Sequence, residues 1–491
     1  MSPPRYVCLS DLHLGAGYSM LAVERAADAA AGARPGPTLL AFGRALHETL
    51  RSFGDAPPPT LILLGDILDM GLSPMGAVAA AFRCFVEAVM LDGDRPVFAP
   101  RVLCVPGNHD HHLWRAAQDR EFQDALIAGR TDDDLIEQTP LFESGAVASI
   151  GSPLLSRLMS GFAPLADFRV DIVYPNLGLL DVDRRRCVVL HHGHYVDALY
   201  RGMSTLNGLV PGHRHADLSV AQLERQNGAW VDFLWSDLGS SGAIGRDATT
   251  LYEVMRDGAA SHRFCQRLSG VILASVDKHF RMSGSTPIVN GITLAELTLG
   301  ALDISLGQGA ASQRDSYLAV MTPGDVADLR WYLSGPVAQE LASAGVDVAE
   351  LDLSFVFGHT HKPFEDELSV PGFARPVGIF NTGGWVMDQP TMAAAQGTAA
   401  VFIDAAMNVA SLRLFNDPLN GPAAPVSARG VGGFTDARNP MLAGLSAALP
   451  ATAPAWAGFT SLMQQAVEKR AGELLGQFFP TTAAAPPQAA A

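Results

Sequence analysis

Cysteine is scarce: the chain has 5 in 491 residues, an odd number with no C-x-x-C spacing. That excludes the disulfide framework of a small secreted domain and the paired-cysteine zinc motifs. Cys8, Cys104 and Cys187 sit inside apolar runs, where they read as small core side chains. Basic residues are also short, since 34 Lys and Arg face 50 Asp and Glu for a net charge of −16. Such a field repels polyanions, so stable nucleic-acid binding needs a local basic patch, and the run Arg184, Arg185, Arg186 reads as a solvated turn. No stretch of about 18 uninterrupted apolar residues is present, which argues against a membrane-spanning helix. "MSPPRYVCLSD" moves straight into a strand with no apolar leader, so a soluble, cytoplasmic chain is the expectation.

What is there is globular in composition, 48% apolar and 17% charged, with a mean hydropathy of +0.16. The length predicts two or three domains, or one domain with a large insertion. Six short β-rich runs each end at a cluster of Asp, Asn, His and Gly: 6–15, 61–71, 102–110, 187–197, 353–364 and 377–385. Helical stretches such as 41–53 and 76–90 lie between them, which predicts an α/β core with buried strands. Polar groups at the carboxyl ends of such strands are where sites form.

Two stretches fit this core poorly. Residues 111–180 read as a loop-rich, partly helical insertion within the first part of the core, 1–197. Residues 198–345 read as a mostly helical insertion and possible cap, with Thr322 capping one helix and Pro323 in its first turn. The second part of the core, 346–416, closes with a hairpin at 399–416. A Pro/Gly/Ala-rich linker is expected from 417 to about 453, then an amphipathic helix over 454–480 and a disordered tail. Trp456, Phe459, Met463, Val467, Leu474 and Phe478 form its apolar stripe, which is expected to dock on its own protein; membrane or partner contact is the lesser reading.

Chemistry is carried by an ordered series: D-x-H at 11–13, G-D-x-x-D at 65–69, G-N-H-D at 107–110, H-G-H at 192–194 and G-H-x-H at 358–361. Each part alone is common, but the ordered set after successive strands is not a chance pattern. Two divalent cations about 3.5–4 Å apart can hold a phosphoryl oxygen and activate a water between them, and one carboxylate must bridge them. Carboxylate, imidazole and amide oxygen suit Mn, Fe or Zn better than calcium alone.

With those motifs in order, the chain resembles the calcineurin-like metallophosphoesterases over roughly residues 5–197 and 350–416. The resemblance implies a four-layer α/β/β/α sandwich with two metal ions, Mn first and Fe or Zn as alternatives. It implies that Asp11, His13 and His361 hold one metal, that Asn108, His192 and His359 hold the other, and that Asp66 bridges. His109 would be the general acid for the leaving oxygen, with Asp69 orienting its imidazole. The activity implied is hydrolysis of a phosphate monoester, diester or pyrophosphate by a metal-activated hydroxide. Met70 after the second carboxylate, and Asp110 where the Ser/Thr protein phosphatases end their third motif in Glu, argue against that branch.

Around these residues, Asp110 is expected to brace its loop, His111 and His112 to be exposed or loop-structural, and Trp114 to pack. Neighbouring side chains on an extended strand point to opposite faces, so His191 and His192 do not serve one metal; the resemblance favours His192. His191 then reads as a core or supporting histidine, and His194 as a residue on the rim of the site. "VPGHRH" at 210–215 also spells G-H-x-H, but turn-like sequence precedes it, whereas a strand precedes Gly358. Two other readings compete: a nuclease of the same fold, and a binding scaffold with a degraded metal site. The scaffold predicts missing ligands, and all seven are present beside His109. An acidic cap would favour small or lipid-like phosphate esters over DNA.

Overall fold

The computed structural model describes residues 2–21, 23–25, 33–130, 136–142, 150–183, 185–204, 218–232, 320–387, 389–417, 424–431 and 438–478, with short pieces at 266, 283–285, 287–289, 292–293 and 295. It is a mixed α/β structure built on two sheets. The first has strands β1 (Pro4–Leu9), β2 (Thr60–Leu63), β3 (Arg101–Cys104), β4 (Ile150–Gly151) and β5 (Arg169–Ile172). The second has β6 (Asn176–Asp181), β7 (Arg186–His191), β8 (Asp352–Phe357), β9 (Phe364–Leu368) and β10 (Val377–Asn381). The chain then returns to the first sheet with β11 (Thr398–Asp404), β12 (Val409–Phe415) and β13 (Ser427–Arg429). The strand orders are β13-β12-β11-β1-β2-β3-β5-β4 and β6-β7-β8-β10-β9.

At the centre of each sheet the strands are parallel, β1, β2, β3 and β5 in one and β7, β8 and β10 in the other. Their apolar runs are continuous because both faces are buried. Tyr6, Cys8, Ile62, Leu64, Leu103 and Val105 share one buried cluster with Leu177, Leu179, Val188, Leu190, Val356 and Phe380, so the two sheets meet through these side chains. The alternate residues Val7, Leu9, Leu61, Leu63 and Val102 belong to the larger cluster that includes the helices, as a two-residue period requires.

Helix α1 (Pro37–Arg51) starts at Pro37, whose fixed φ suits the first turn, and buries Leu39, Phe42 and Leu46. Helix α2 (Met75–Phe85) follows β2, and α3 (His112–Ile127) follows β3. A short α4 (Pro153–Met159) precedes β5. Between β7 and β8 come α5 (Val220–Asp232), α6 (Pro323–Tyr332) and α7 (Ala338–Ser343). Thr322 caps α6 as its sequence implies, Oγ1 accepting from Asp325 N at 3.2 Å while Thr322 N donates to Asp325 Oδ2 at 2.8 Å.

Two boundaries differ from the sequence reading. Residues 111–180 are not simply an insertion, because β5 and β6 within them are strands of the two sheets. Nor does the linker run to 453: helix α8 spans Pro440–Phe478 and contains Pro450 and Pro454. Proline marks a break in a sequence because it removes a helical hydrogen bond. Here packing outweighs that loss. Met441, Leu442 and Leu445 are buried on one side of the prolines and Trp456, Phe459 and Met463 on the other. Each fully buried side chain of this size contributes roughly 1.5–3 kcal/mol. Trp456 also donates Nε1–H to Thr49 Oγ1 of α1 at 3.0 Å, and Phe42 packs against Trp456, Phe459 and Trp385. Trp456, Phe459, Met463 and Leu474 of the expected stripe therefore dock on their own protein, while the Phe478 side chain and residues 479–480 lie outside the described residues. Among the described residues no helix is long and apolar enough to cross a membrane. The 210–215 motif and the tail lie outside the described residues.

Candidate metal centre

The carboxyl ends of β1, β2, β3, β7 and β8 each lead directly into one of the five motifs. Parallel strands point these ends the same way, which brings residues far apart in sequence to one place. Asp11, His13, Asp66, His359 and His361 all have left-handed backbone, with φ of 51, 46, 51, 68 and 56°. Among the described residues there are eight such non-glycine positions, and five of them are candidate ligands. Each costs about 1–3 kcal/mol and persists only where the surroundings enforce it. In D-x-H the turn directs both outer side chains to one group of donors, whereas H-x-H sends His361 to that group and His359 to the other.

Glycines clear the space. A Cβ at Gly65, itself at φ +76°, would lie 2.3 Å from His192 Nδ1, and one at Gly358 would lie 2.1 Å from Asp11 Oδ2. Asp110 braces the third loop as its position suggests, accepting from the backbone N–H groups of Gly107, Asp66, Ile67 and Leu68 at 2.7–3.2 Å. Burial, with Asp66 adding to it, pushes the Asp110 carboxyl up to about 6.

The ligand candidates gather in two groups. In one, donor atoms of Asp11, His13 and His361 lie within 4.8 Å of one another. In the other, Asp66, His192 and His359 do the same, and Asn108 Oδ1 joins them 3.1 Å from His192 Nε2. Asp66 Oδ2 stands between the groups, 3.7 Å from His13 Nε2 and 3.3 Å from His192 Nε2. Both ring nitrogens of fully buried His13 have no hydrogen-bond partner. Leaving buried polar atoms unmade costs about 1–3 kcal/mol, and a cation among these donors would remove the deficit. The residues present thus fit a bound divalent metal in donor type, number and burial.

The charge pattern agrees. Burial, helped by His109, holds the His13 imidazole well below its ordinary value, so it is neutral and able to coordinate. Burial opposes charge on Asp66, but His192 and His109 outweigh it and keep the carboxyl well below the usual range. Burial also opposes charge on His192, yet Asp66 lifts that imidazole to about 9, a proton that an incoming metal has to displace.

His109 stands beside these groups. Its Nδ1 lies 2.9 Å from Asp69 Oδ1, its backbone N–H donates to Asp66 Oδ1 at 2.8 Å, and its ring centroid is 4.6 Å from that of His13. Burial pushes the His109 pKa down, but Asp66 and Asp69 outweigh it and hold the group above its ordinary value. His13, Asp69 and His109 also form a possible ligand trio. The hydrogen bond between His109 and Asp69 already commits one atom of each.

Three histidines fall elsewhere than expected or need a fuller account. His111 is not exposed: it is fully buried, with Nδ1 2.6 Å from Asp232 Oδ1 and Nε2 3.5 Å from Glu224 Oε1. Burial opposes its charge, but Glu224 and Asp232 lift it to about 9. His194 is likewise buried rather than at the rim, with Nε2 3.1 Å from Tyr174 OH. His191 is buried and supporting, its Nδ1 accepting from Gly193 N at 2.8 Å. His112 opens α3 and is exposed, and Trp114 packs, stacked on Tyr174 at 4.8 Å.

Sequence reasoning missed Asp197 and Glu224. Asp197 Oδ2 lies 3.5 Å from His359 Nε2. Its signal was available, a carboxylate five residues beyond His192 in the same run. Glu224 had none, being one of several charges on a helical stretch. No family model matches the chain, and no curated protein matches it in sequence.

Proposed function

We propose that this protein is a metal-dependent phosphoric ester hydrolase of the calcineurin-like metallophosphoesterase type. The observation that carries the reading is the position of Asp66 Oδ2, within 3.7 Å of His13 Nε2 and 3.3 Å of His192 Nε2. A shared carboxylate oxygen between two donor groups is what a two-metal site needs. On this reading Asp11, His13 and His361 hold one ion, Asn108, His192 and His359 the other, and Asp66 both. Mn is the first choice, with Fe and Zn as alternatives for the same donors. The α/β/β/α layering belongs to the same reading. It is supported by α1 and α8 packed together beside the first sheet and by Tyr332 of α6 against Phe355 of the second, ring centroids 6.1 Å apart.

Bound divalent ions would supply Lewis acidity toward a phosphoryl group and lower the pKa of an attacking water. The chain supplies the rest. Asp69 accepts the Nδ1 proton of His109, which fixes the ring and leaves Nε2 to deliver a proton to the departing oxygen. The raised pKa of His109 keeps that proton in place until it is needed. Small or lipid-like phosphate esters suit the acidic surface better than nucleic acid, given a net charge of −16.

The test is metal analysis of protein reconstituted with Mn, together with assays on aryl phosphate monoesters and diesters, pyrophosphates and single-stranded DNA with and without chelator. Close to two metals and chelator-sensitive turnover of a small ester are expected. Less than one metal with no turnover would point to a binding scaffold. Vigorous DNA cleavage would move the nuclease reading to first place.

A further inference from the structure

We infer that helix α5 braces one half of the metal centre, and that Glu224 is the positioning residue for the loops bearing Asn108 and His192. The inference rests on the two-metal reading above. Glu224 is only 4% exposed, and a carboxylate so buried is costly unless its oxygens are satisfied. Here they are. Trp114 Nε1 donates to Oε1 at 3.0 Å, and the hydroxyls of Tyr174, at 3.1 Å, and Tyr195 donate to Oε2. His111 Nε2 lies 3.5 Å from Oε1, and at the far end of α5 Asp232 takes up His111 Nδ1 and Arg115 Nε at 2.6 and 3.1 Å.

These donors sit beside the site. His111 is three residues beyond Asn108, and Tyr195 three beyond His192. Tyr174 also meets His194, whose ring centroid is 5.7 Å from that of His192. One carboxylate on the inserted helix thus ties together two loops that carry ligands of the same group. The other group is fastened within the sheets' own loops: His13 N donates to Asp66 O at 2.9 Å, Trp385 N to Asp11 O at 3.0 Å, and Gly397 N to His361 O at 3.2 Å. Loosening α5 should therefore weaken the two metal sites unequally.

The experiment is a calorimetric titration of Mn into metal-free full-length protein, comparing wild type with Glu224→Ala, Glu224→Gln and Tyr195→Phe, with circular dichroism to check folding. Wild type should bind two ions. Glu224→Ala should keep one site at wild-type affinity and bind the second on the order of 10-fold more weakly, the scale of losing a supporting contact. Glu224→Gln should stay near wild type, because its amide oxygen can accept from Trp114 while the tyrosine hydroxyls rotate to accept from its NH2. Tyr195→Phe should show a smaller split of the same kind, and it decides the matter if Glu224→Ala does not fold. Equal weakening of both sites, or no change in either, overturns the inference while leaving the two-metal reading intact. A wild type that binds fewer than two ions overturns both.

Discussion

His109 Nδ1 lies 2.9 Å from Asp69 Oδ1, and this contact orients the imidazole beside the candidate metal ligands. On the proposed reading, with the Nδ1 proton donated to Asp69, Nε2 would be the nitrogen that exchanges a proton with substrate.

His109→Ala should therefore leave metal content nearly intact and lower kcat by roughly 100- to 10,000-fold, the usual range for a general acid, with a much smaller change in KM. The loss should shrink for esters whose leaving group departs without a proton. Loss of a metal equivalent would instead move His109 into the coordination sphere, through the trio it forms with His13 and Asp69.

The two G-H-x-H motifs should separate. His359 and His361 follow β8, which pairs in parallel with β7 and β10, and they lie beside His192 and beside Asp11 and His13 respectively. His359→Ala should abolish binding at one metal site, whereas the double variant His213→Ala, His215→Ala should keep both ions in a metal analysis. The opposite result would mean that the closing motif lies at 212–215.

Much of this site was legible because its residues end apolar runs, and a β-strand fixes where its last residue points. Asp11, His13, Asp66, Asn108, His192, His359 and His361 were named by the resemblance, and their coming together follows from the rule that parallel strands gather their carboxyl ends. His194 was misplaced, and of the two readings of His111 only the loop-structural one holds, for the converse reason. Polar residues beside a polar motif read as loop, but His111 is buried against Glu224 and Asp232, on a helix more than 100 residues away in the chain, and His194 against Tyr174. No local pattern carries that information. The start of α8 was missed because proline reads as a break, while the buried contacts of Met441, Leu445 and Trp456 that outweigh it are tertiary.

Asp197 gives a third prediction. Its Oδ2 stands 3.5 Å from His359 Nε2, and on the two-metal reading it would accept the proton of that nitrogen and leave Nδ1 as the donor toward a metal. Asp197→Asn should weaken the second Mn equivalent by about 10-fold or more, with Asp197→Ala weaker still. Calorimetric titration checks it, and an unchanged pair of dissociation constants would exclude a supporting role for Asp197.

The last prediction concerns Glu340 of α7, on the same insertion. Its Oε2 accepts from Asn176 Nδ2 at 2.7 Å and its Oε1 from Gln138 Nε2 at 3.1 Å, and Asn176 in turn accepts from Tyr332 OH at 3.0 Å. Burial pushes the carboxyl up to about 7 against the pull of those two amide donors, from an ordinary value of 4.5. A carboxyl whose folded pKa is raised favours the folded state while protonated. That contribution is fully present below the unfolded value and is lost as pH rises through about 7, where the folded protein must carry a buried negative charge. Glu340→Gln removes the ionisation, and the partly buried Gln138 can turn its amide to accept from the new NH2. The variant should match wild type near pH ~5 and exceed it near pH ~8 by on the order of 2 kcal/mol in urea denaturation, since one pKa unit is about 1.4 kcal/mol. Equal pH slopes for the two proteins would show that Glu340 titrates as an ordinary carboxylate, and that the amides of Asn176 and Gln138 already satisfy its charge.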